Sequence, residues 1–195
     1  MKLLLGITLA MSTLSVLALD LSPNFAPIES DGIVLRNPYF TDGGKKYGVL
    51  IPMDTELKAY ENGAMFRFTK FDHAEMLLVH SPMQVTDKFG PDTLEAYEKA
   101  ARKMLPQTAE GVSLEKQVKN PLPMNAWESL RFVFKYTTAS RVTRESITFL
   151  NILPNEQVVL QVYAKDAQFE QTLMRADDVI RRWYEIDPKS VIRGN

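Results

Sequence analysis

The stretch that decides the fold is Trp127-Glu128-Ser129-Leu130-Arg131-Phe132-Val133-Phe134-Lys135-Tyr136. Large apolar side chains recur at every second position, which is the period of a β-strand with one face against a core. The side chains on that face are Leu130, Phe132, Phe134 and Tyr136. The stretch therefore predicts a half-buried strand, and the segments around it indicate what kind of sheet it joins.

Further strands are predicted on both sides of this stretch. Val112–Lys119 precedes it, and Val142–Ile152 and Glu156–Ala164 follow it. Leu153-Pro154-Asn155 separates the last two and has the composition of a turn. The final strand places three aliphatic side chains on one face: Val158, Leu160 and Val162. Strands joined by such short connections favour an antiparallel sheet.

Two helices are predicted, and the first covers residues 92–105. Asp92 is expected to cap its N-terminus, with Glu95 at the reciprocal position of a capping box. Pro106 is expected to end it. Its apolar stripe consists of Leu94, Tyr97, Ala101, Met104 and Leu105. The helix is amphipathic and needs an apolar surface beneath it.

The second helix follows the final strand, with Asp166 as its expected N-cap and Asp187-Pro188 as its end. Its apolar stripe recurs at intervals of four and three residues: Phe169, Leu173, Ala176, Ile180 and Trp183 or Tyr184. Asp177–Arg181 and Asp178–Arg182 are interpreted as ion pairs on its exposed side. Because the connection from the strand is very short, we expect this helix to pack across the sheet and close the main core.

The N-terminal half of the chain is less regular. Residues 19–46 contain three prolines and are predicted to be irregular, apart from a short run at Ile33–Leu35. That run could pair with Tyr47–Ile51 across a glycine-containing turn. Strand patterns then continue in two ranges: Ala64–Phe71 and Glu75–His80. The predicted fold class is α+β, a single domain in which helices pack on an antiparallel β-sheet.

This order of elements resembles the PsbP-like superfamily. The resemblance runs from a strand pair opened by Tyr47-x-Val49-x-Ile51-Pro52, through both helices, with Ala164–Glu170 leading into the second. The superfamily includes the photosystem II extrinsic protein PsbP, a nuclear import factor that binds Ran, and bacterial periplasmic DcrB-type proteins. The resemblance implies a sheet with helices on its faces and a role in binding other proteins, and it carries over no site residue. DcrB-type proteins are commonly lipid-anchored, whereas this chain lacks the cysteine that would carry a lipid.

The N-terminus has the pattern of a secretory signal peptide. Met1-Lys2 is a short basic start, an apolar run follows, and Val16-Leu17-Ala18 is a small-x-small cleavage pattern. The alternative is a retained membrane anchor, but the stretch from Leu3 to Leu19 is at the short limit for a span and is diluted by Ser and Thr. We therefore expect an exported protein, periplasmic or secreted, with cleavage after Ala18 and no stable membrane span afterwards.

This processing divides the chain into four predicted regions. They are a signal peptide (1–18), an irregular segment (19–46), a PsbP-like α+β domain (47–187) and a short tail (188–195).

Composition excludes several classes of function. The 195 residues contain 23 Lys and Arg against 24 Asp and Glu, a net charge of -1. Such a chain has no field that would gather nucleic acid. Cysteine is absent, which removes disulfides, thiol catalysis and cysteine-ligated metals. The sequence predicts no nucleic-acid partner and no cofactor.

The sequence predicts no catalytic residue and no metal site. His73 and Glu75 share one face of a strand and could offer two metal ligands, but no spaced partner completes the set. Ser81 follows His80 directly, and neighbours on a strand point to opposite faces, so the two do not form a dyad. A small hydrolase using His73 or His80 is the less favoured, enzymatic interpretation.

The best candidates for binding are methionines that lie in loops beside prolines: Met53, Met83 and Met124. If these loops meet at one end of the sheet, they form a deformable apolar patch for a partner. The favoured hypothesis is a non-catalytic exported protein that binds a protein or peptide in the bacterial envelope, in an accessory or chaperone-like role. The alternative is a small-ligand carrier with a cavity between the sheet and the C-terminal helix.

Overall fold

The computed structural model describes residues 19–30, 33–86, 88–124, 127–139 and 141–187. The predicted signal peptide and the predicted tail at 188–195 lie outside the described residues. Among the described residues, no helix is long and apolar enough to cross a membrane.

Eleven strands and two helices are described within these ranges. In chain order they are β1 (Asp20–Ser30), β2 (Ile33–Asp42), β3 (Lys45–Val49), β4 (Thr55–Tyr60), β5 (Gly63–Phe68), β6 (Glu75–His80), α1 (Pro91–Met104), β7 (Glu110–Lys119), β8 (Ser129–Thr138), β9 (Arg141–Leu153), β10 (Glu156–Lys165), a 3-10 turn (Asp166–Gln168), α2 (Phe169–Arg181) and β11 (Trp183–Glu185).

Two antiparallel sheets are formed. The large sheet has seven strands in the order β4-β5-β6-β10-β9-β8-β7, and the small sheet has four in the order β1-β2-β3-β11. Every paired strand in both sheets runs antiparallel to its neighbour. The predicted α+β class, with helices packed on an antiparallel sheet, is therefore confirmed.

The large sheet separates two hydrophobic cores. One core contains the four apolar residues of β8 that were predicted to share a face, together with Tyr97 and Ala101 of α1. The four residues are Leu130, Phe132, Phe134 and Tyr136. We call this side of the large sheet the α1 face. The other side, the α2 face, carries Val158, Leu160 and Val162, as predicted, and is covered by α2 and the small sheet.

The C-terminal helix closes the α2-face core, but it is shorter than predicted. Phe169, Leu173, Ala176 and Ile180 are buried against the sheet, whereas the helix ends at Arg181. Trp183 begins β11 instead of completing the helical stripe, and it pairs with Val49 of β3. Its ring stacks on Phe40 at 5.1 Å and on Tyr47 at 6.0 Å between ring centroids.

Neither helix is capped by the predicted aspartate. Gly90 occupies the N-cap of α1, and Asp92 lies in the first turn, where its charge favours the positive end of the helix dipole. Asp166 likewise lies in the 3-10 turn, and Gln168 occupies the N-cap of α2. Pro91 explains the first difference, because proline is favoured at the first position of a helix, and this places the N-cap at Gly90, two residues before Asp92.

Asp177 does not lie on the wet side of α2, where it was predicted to pair with Arg181. Its carboxylate instead receives two hydrogen bonds from Arg131 of β8, at 3.1 and 2.6 Å. Arg131 also donates from Nε to Thr148 Oγ1 of β9 at 2.8 Å. The pair therefore fastens the helix to β8, the second strand from one edge of the large sheet.

The segment 19–46 is not irregular. It contains β1 and β2, which pair with each other along most of their length. β2 then pairs with β3 through Tyr39–Asp42 and not through the Ile33–Leu35 run. Three prolines suggested a loop, but Pro23 and Pro27 lie in an edge strand, and Pro38 precedes the part of β2 that pairs with β3. Proline is tolerated at such positions.

Candidate functional site

A cleft of about 460 Å³ opens on the α1 face of the large sheet, next to the C-terminal end of α1. The helix itself covers β8 and β9, where the Tyr97 ring meets the Phe149 ring edge-on at 4.8 Å. The cleft lies beyond the end of that cover, over β6, β10 and the start of β9. Its volume is in the range of small-molecule and side-chain binding sites.

A fully buried carboxylate lies at the floor of the cleft. Glu145 has no exposed surface, although it lines the cavity. Tyr136 Oη donates to its Oε2 and Gln161 Nε2 donates to its Oε1, each at 2.5 Å. Burial raises the pKa of Glu145 to about 7, against the lowering effect of those two hydrogen bonds. A carboxyl group that titrates near neutrality inside a cleft is a frequent mark of a functional site.

A second carboxylate adjoins the first along the same face. Tyr163 Oη donates to Glu75, and Arg67 contacts Glu75 Oε1 at 2.9 Å. Burial and the hydrogen bond to Glu75 raise the pKa of Tyr163, and burial beside Glu145 raises that of Tyr136. Both phenols therefore remain protonated and act as donors to the carboxylates.

The walls and the mouth of the cleft differ in chemistry. The walls are apolar and include Leu77, Val79 and Met104. The mouth carries basic groups, among them Arg141 and Lys165. Lys165 is bound to Asp72, and that hydrogen bond lowers the pKa of Asp72.

A second cavity, of about 550 Å³, adjoins the cleft at the other end of β6. Tyr60 and Val79 line both cavities. The second cavity is bordered by the start of β1, the β4–β5 turn and His80. His80 Nδ1 lies 2.7 Å from Glu156 Oε1, so this end of the groove also carries a carboxylate. We refer to the two cavities together as the β6 groove.

The three candidate methionines are not brought together. Met83 follows β6 and Met124 precedes β8, and the strand register places both at one end of the large sheet. Met53 precedes β4 and lies at the opposite end, fully exposed. Met83 packs on the α1-face core and Met124 on the α2-face core. A partner contact at any one of them stays a prediction, but they do not form a single patch.

The two histidines also lie apart. His73 is in the turn before β6, 3.3 Å from Asp72 and at the mouth of the cleft. Glu75, its proposed companion as a metal ligand, is bound to Tyr163 and Arg67. His80 lies at the far end of β6, and the neighbouring Ser81 Oγ donates to Gln157 Oε1 at 2.8 Å. Serine and histidine therefore take different partners.

Sequence reasoning missed the floor of the cleft, although a signal for it was present. Glu145 has the same parity on β9 as Ile147 and Phe149, so a charged residue occupies a position that faces the core. Gln161 likewise has the same parity on β10 as Val159, which is buried in the α1-face core. A polar residue at a position that faces the core is a stronger indication of a functional site than an exposed apolar residue.

No protein-family model matches this chain, and no curated protein sequence matches it either. Solved structures do show similarity. LpqN of Mycobacterium tuberculosis, described as involved in cell envelope biogenesis, is 12% identical with a TM-score of 0.45 over 85% of this chain and 92% of LpqN. Cyanobacterial PsbP from Synechocystis is 8% identical with a TM-score of 0.46, over 85% and 94% of the two chains.

A variant of Mog1 is also similar, at 7% identity and a TM-score of 0.45, over 85% of this chain and 98% of Mog1. Cyanobacterial PsbP, one of these similar structures, belongs to the superfamily that the sequence resembles. The site described above comes from the residues of this chain alone.

Proposed function

We propose that this chain is a non-catalytic exported protein of the bacterial envelope, and that it binds an extended peptide segment of a partner protein in the β6 groove. The observation that carries the proposal is that the two cavities adjoin each other and share Tyr60 and Val79 in their lining. A groove with polar groups at its floor and apolar walls fits the mixed chemistry of a polypeptide.

The length of the groove supports a peptide as its occupant. β6 runs beneath it from Glu75 to His80, and at about 3.3 Å per residue this distance is about 16 Å. An extended peptide of about five residues has the same length. A compact small molecule would occupy only one of the two cavities.

Export is supported by the N-terminal pattern of a basic start, an apolar run and the Val16-Leu17-Ala18 cleavage pattern. The proposal is that cleavage after Ala18 leaves a periplasmic or secreted protein. N-terminal sequencing of the protein from its own envelope fraction should begin at Leu19. A protein that retains Met1 would contradict this part of the proposal.

A binding role is supported over catalysis by the state of the reactive groups. Ser81 is engaged with Gln157, and His80 is engaged with Glu156. An activated serine nucleophile needs a hydrogen bond to a base such as histidine. Ser81 and His80 do not make that hydrogen bond to each other, because each is bound to a different side chain. In the cleft, Glu145 is held by two neutral donors and is not aimed at a nucleophile.

Site-specific photo-crosslinking tests the proposal. A photo-reactive phenylalanine analogue at position 60 lies in the wall of the groove, whereas the same analogue at position 174 is exposed on α2, on the opposite side of the sheet. In living cells, we expect position 60 to crosslink to a defined envelope protein and position 174 not to do so. Equal crosslinking from both positions, or none from position 60, would reject the groove as the binding surface.

A small-ligand carrier is the second candidate, and the cleft volume of about 460 Å³ favours it. The cavity is not where the sequence placed it, because the space between the sheet and α2 is filled by Leu173, Ala176, Val179 and Ile180. Native mass spectrometry of the protein purified from its own host distinguishes the two candidates. A retained small molecule of constant mass would favour the carrier over the peptide binder.

A further inference from the structure

We propose that the cleft at the floor of the β6 groove binds an alkylammonium group, with the charge at Glu145 and the alkyl chain between the apolar walls. On the partner peptide of the proposed function, on which this inference rests, the group is a lysine side chain. A free alkylamine offers the same chemistry, and the experiment below separates the two sources.

The first argument is the lack of a counter-charge. The groups that hydrogen-bond Glu145 are the phenol of Tyr136 and the carboxamide of Gln161, and both are neutral. Among the described residues, no Lys, Arg or His side chain forms an ion pair with it. A buried carboxylate without a cation is costly to ionise. An ammonium group would supply the missing charge.

The second argument is the position of Gln161 Nε2. This nitrogen donates to Glu145 Oε1 at 2.5 Å and also to the carbonyl oxygen of Met104 at 3.1 Å. Met104 is the last residue of α1, so its free carbonyl belongs to the negative end of the helix dipole. A nitrogen donor therefore already bridges two negative groups. An ammonium group has three donors and can replace that amide at the same point.

The third argument is the shape of the approach. Leu77, Val79 and Met104 line the cleft above the floor. An unbranched aliphatic chain with a terminal charge, such as that of lysine, buries its methylene groups against such walls and delivers the charge at its end. A bare inorganic cation would leave these walls uncovered.

The charges at the mouth do not prevent this. Lys165 is neutralised by its contact with Asp72, and His73 also faces Asp72. Arg141 is the remaining cation at the mouth. On the far side of the cleft, Glu75 adds a carboxylate beside Tyr163. Lys165, His73 and Arg141 all act on the carboxylate of Asp72 at the mouth, whereas among the described residues no cation pairs with Glu145 at the floor.

The test is an NMR titration of the full chain with n-hexylammonium and, as a matched neutral probe, n-hexanol. We expect hexylammonium to shift the amide signals of β9 and β10 around Glu145 and Gln161, and to bind at least tenfold more tightly than hexanol. In Glu145→Gln the preference should vanish. In Gln161→Ala hexylammonium should bind several-fold more tightly, because no side chain has to be displaced.

Equal binding of the two probes, or shifts that map outside the cleft, would overturn the proposal. So would an undiminished preference for hexylammonium in Glu145→Gln, provided that the spectrum of that variant shows a native fold. If Glu145→Gln does not fold, the Gln161→Ala titration decides alone.

Two acetylated, amidated peptides then separate this inference from the proposed function. One is Gly-Gly-Lys-Gly-Gly, and the other carries norleucine in place of lysine. Preference for the lysine peptide supports both proposals. Equal binding supports peptide binding and rejects the ammonium site. Binding of hexylammonium together with failure of both peptides supports the ammonium site and rejects peptide binding.

Discussion

Arg131 of β8 and Asp177 of α2 join the large sheet to the C-terminal helix by two parallel hydrogen bonds, of 3.1 and 2.6 Å. The side chain of Arg131 is only 7% exposed and that of Asp177 only 16%. Because Arg131 also donates to Thr148, its guanidinium is held by two elements at once. This pair orients the helix over the core, which a hydrophobic stripe alone does not do.

Asp177→Ala should therefore be strongly destabilising. It leaves the Arg131 guanidinium buried without its carboxylate, a change that typically costs about 3–5 kcal/mol. Asp178→Ala is the matched control, since Asp178 is the next residue on the same helix and is exposed. It should cost less than about 0.5 kcal/mol. Urea unfolding of both variants measures the difference, and similar losses would show that the buried pair does not hold α2.

Trp183→Ala should remove much of the contact between the small sheet and the α2-face core. Trp183 stacks on Phe40 and Tyr47 and is partly exposed, so we expect a loss of about 3 kcal/mol, the lower end for a large aromatic. Arg182→Ala, at the exposed neighbouring position, should cost less than about 0.5 kcal/mol. Denaturant melts compare the two. Equal losses would mean that Trp183 is not seated between those rings.

Gly63→Ala should destabilise the β5–β6 pairing. A Cβ at Gly63 would meet the backbone carbonyl oxygen of Leu78, which the pairing of the strands holds in place. We expect a cost of at least about 1–3 kcal/mol, because the backbone cannot yield as a side chain does. Gly90→Ala is the control, since a Cβ there meets nothing within 4 Å. A variant at Gly63 as stable as the one at Gly90 would contradict this.

Glu145 should make the protein less stable as the pH rises. Its pKa is about 7 in the folded chain, against 4.5 for a freely exposed glutamate, so between these two pH values the folded state binds a proton that the unfolded state has lost. The free energy of unfolding therefore falls as the pH rises from about 4.5 to 7, by about 3 kcal/mol from this group alone. Above pH 7 the contribution is constant.

The variant Glu145→Gln isolates this effect, because all other groups titrate in both proteins. Urea melts at several pH values from 4.5 to 8 should show the variant gaining stability relative to the parent as the pH rises. A difference between the two proteins that does not change with pH would show that Glu145 is not held in a desolvated site.

The sequence predicted the large sheet well because its strands obey a simple period. β8 and β10 alternate cleanly, and their apolar faces are buried as expected. The errors occurred where tertiary contacts override a local pattern. Trp183 fits the helical stripe of α2, yet stacking on Phe40 and pairing with β3 draw it into a strand.

The candidate site was the least predictable part, because it is assembled from distant segments. The floor joins Tyr136 of β8, Glu145 of β9 and Gln161 of β10, and Gln161 also donates to the Met104 carbonyl at the end of α1. Parity along β9 marks Glu145 as inward-facing, but only the register of the strands shows that Tyr136 and Gln161 meet it. The loop methionines were separated for the same reason, since the register decides which loops share an end of the sheet.

The pairing of β3 with β11 has a consequence for the order in which the protein matures. Tyr47 lies opposite Glu185, so a strand near the end of the described residues completes a sheet whose other three strands come from their beginning. During synthesis β1 to β3 are made well before β11, so this edge of the small sheet closes only after Trp183–Glu185 have been made. Until then Phe40 and Tyr47 lack their stacking partner Trp183, and their rings are more exposed to solvent. Exposed aromatic surface of this kind makes a partly folded chain prone to aggregation.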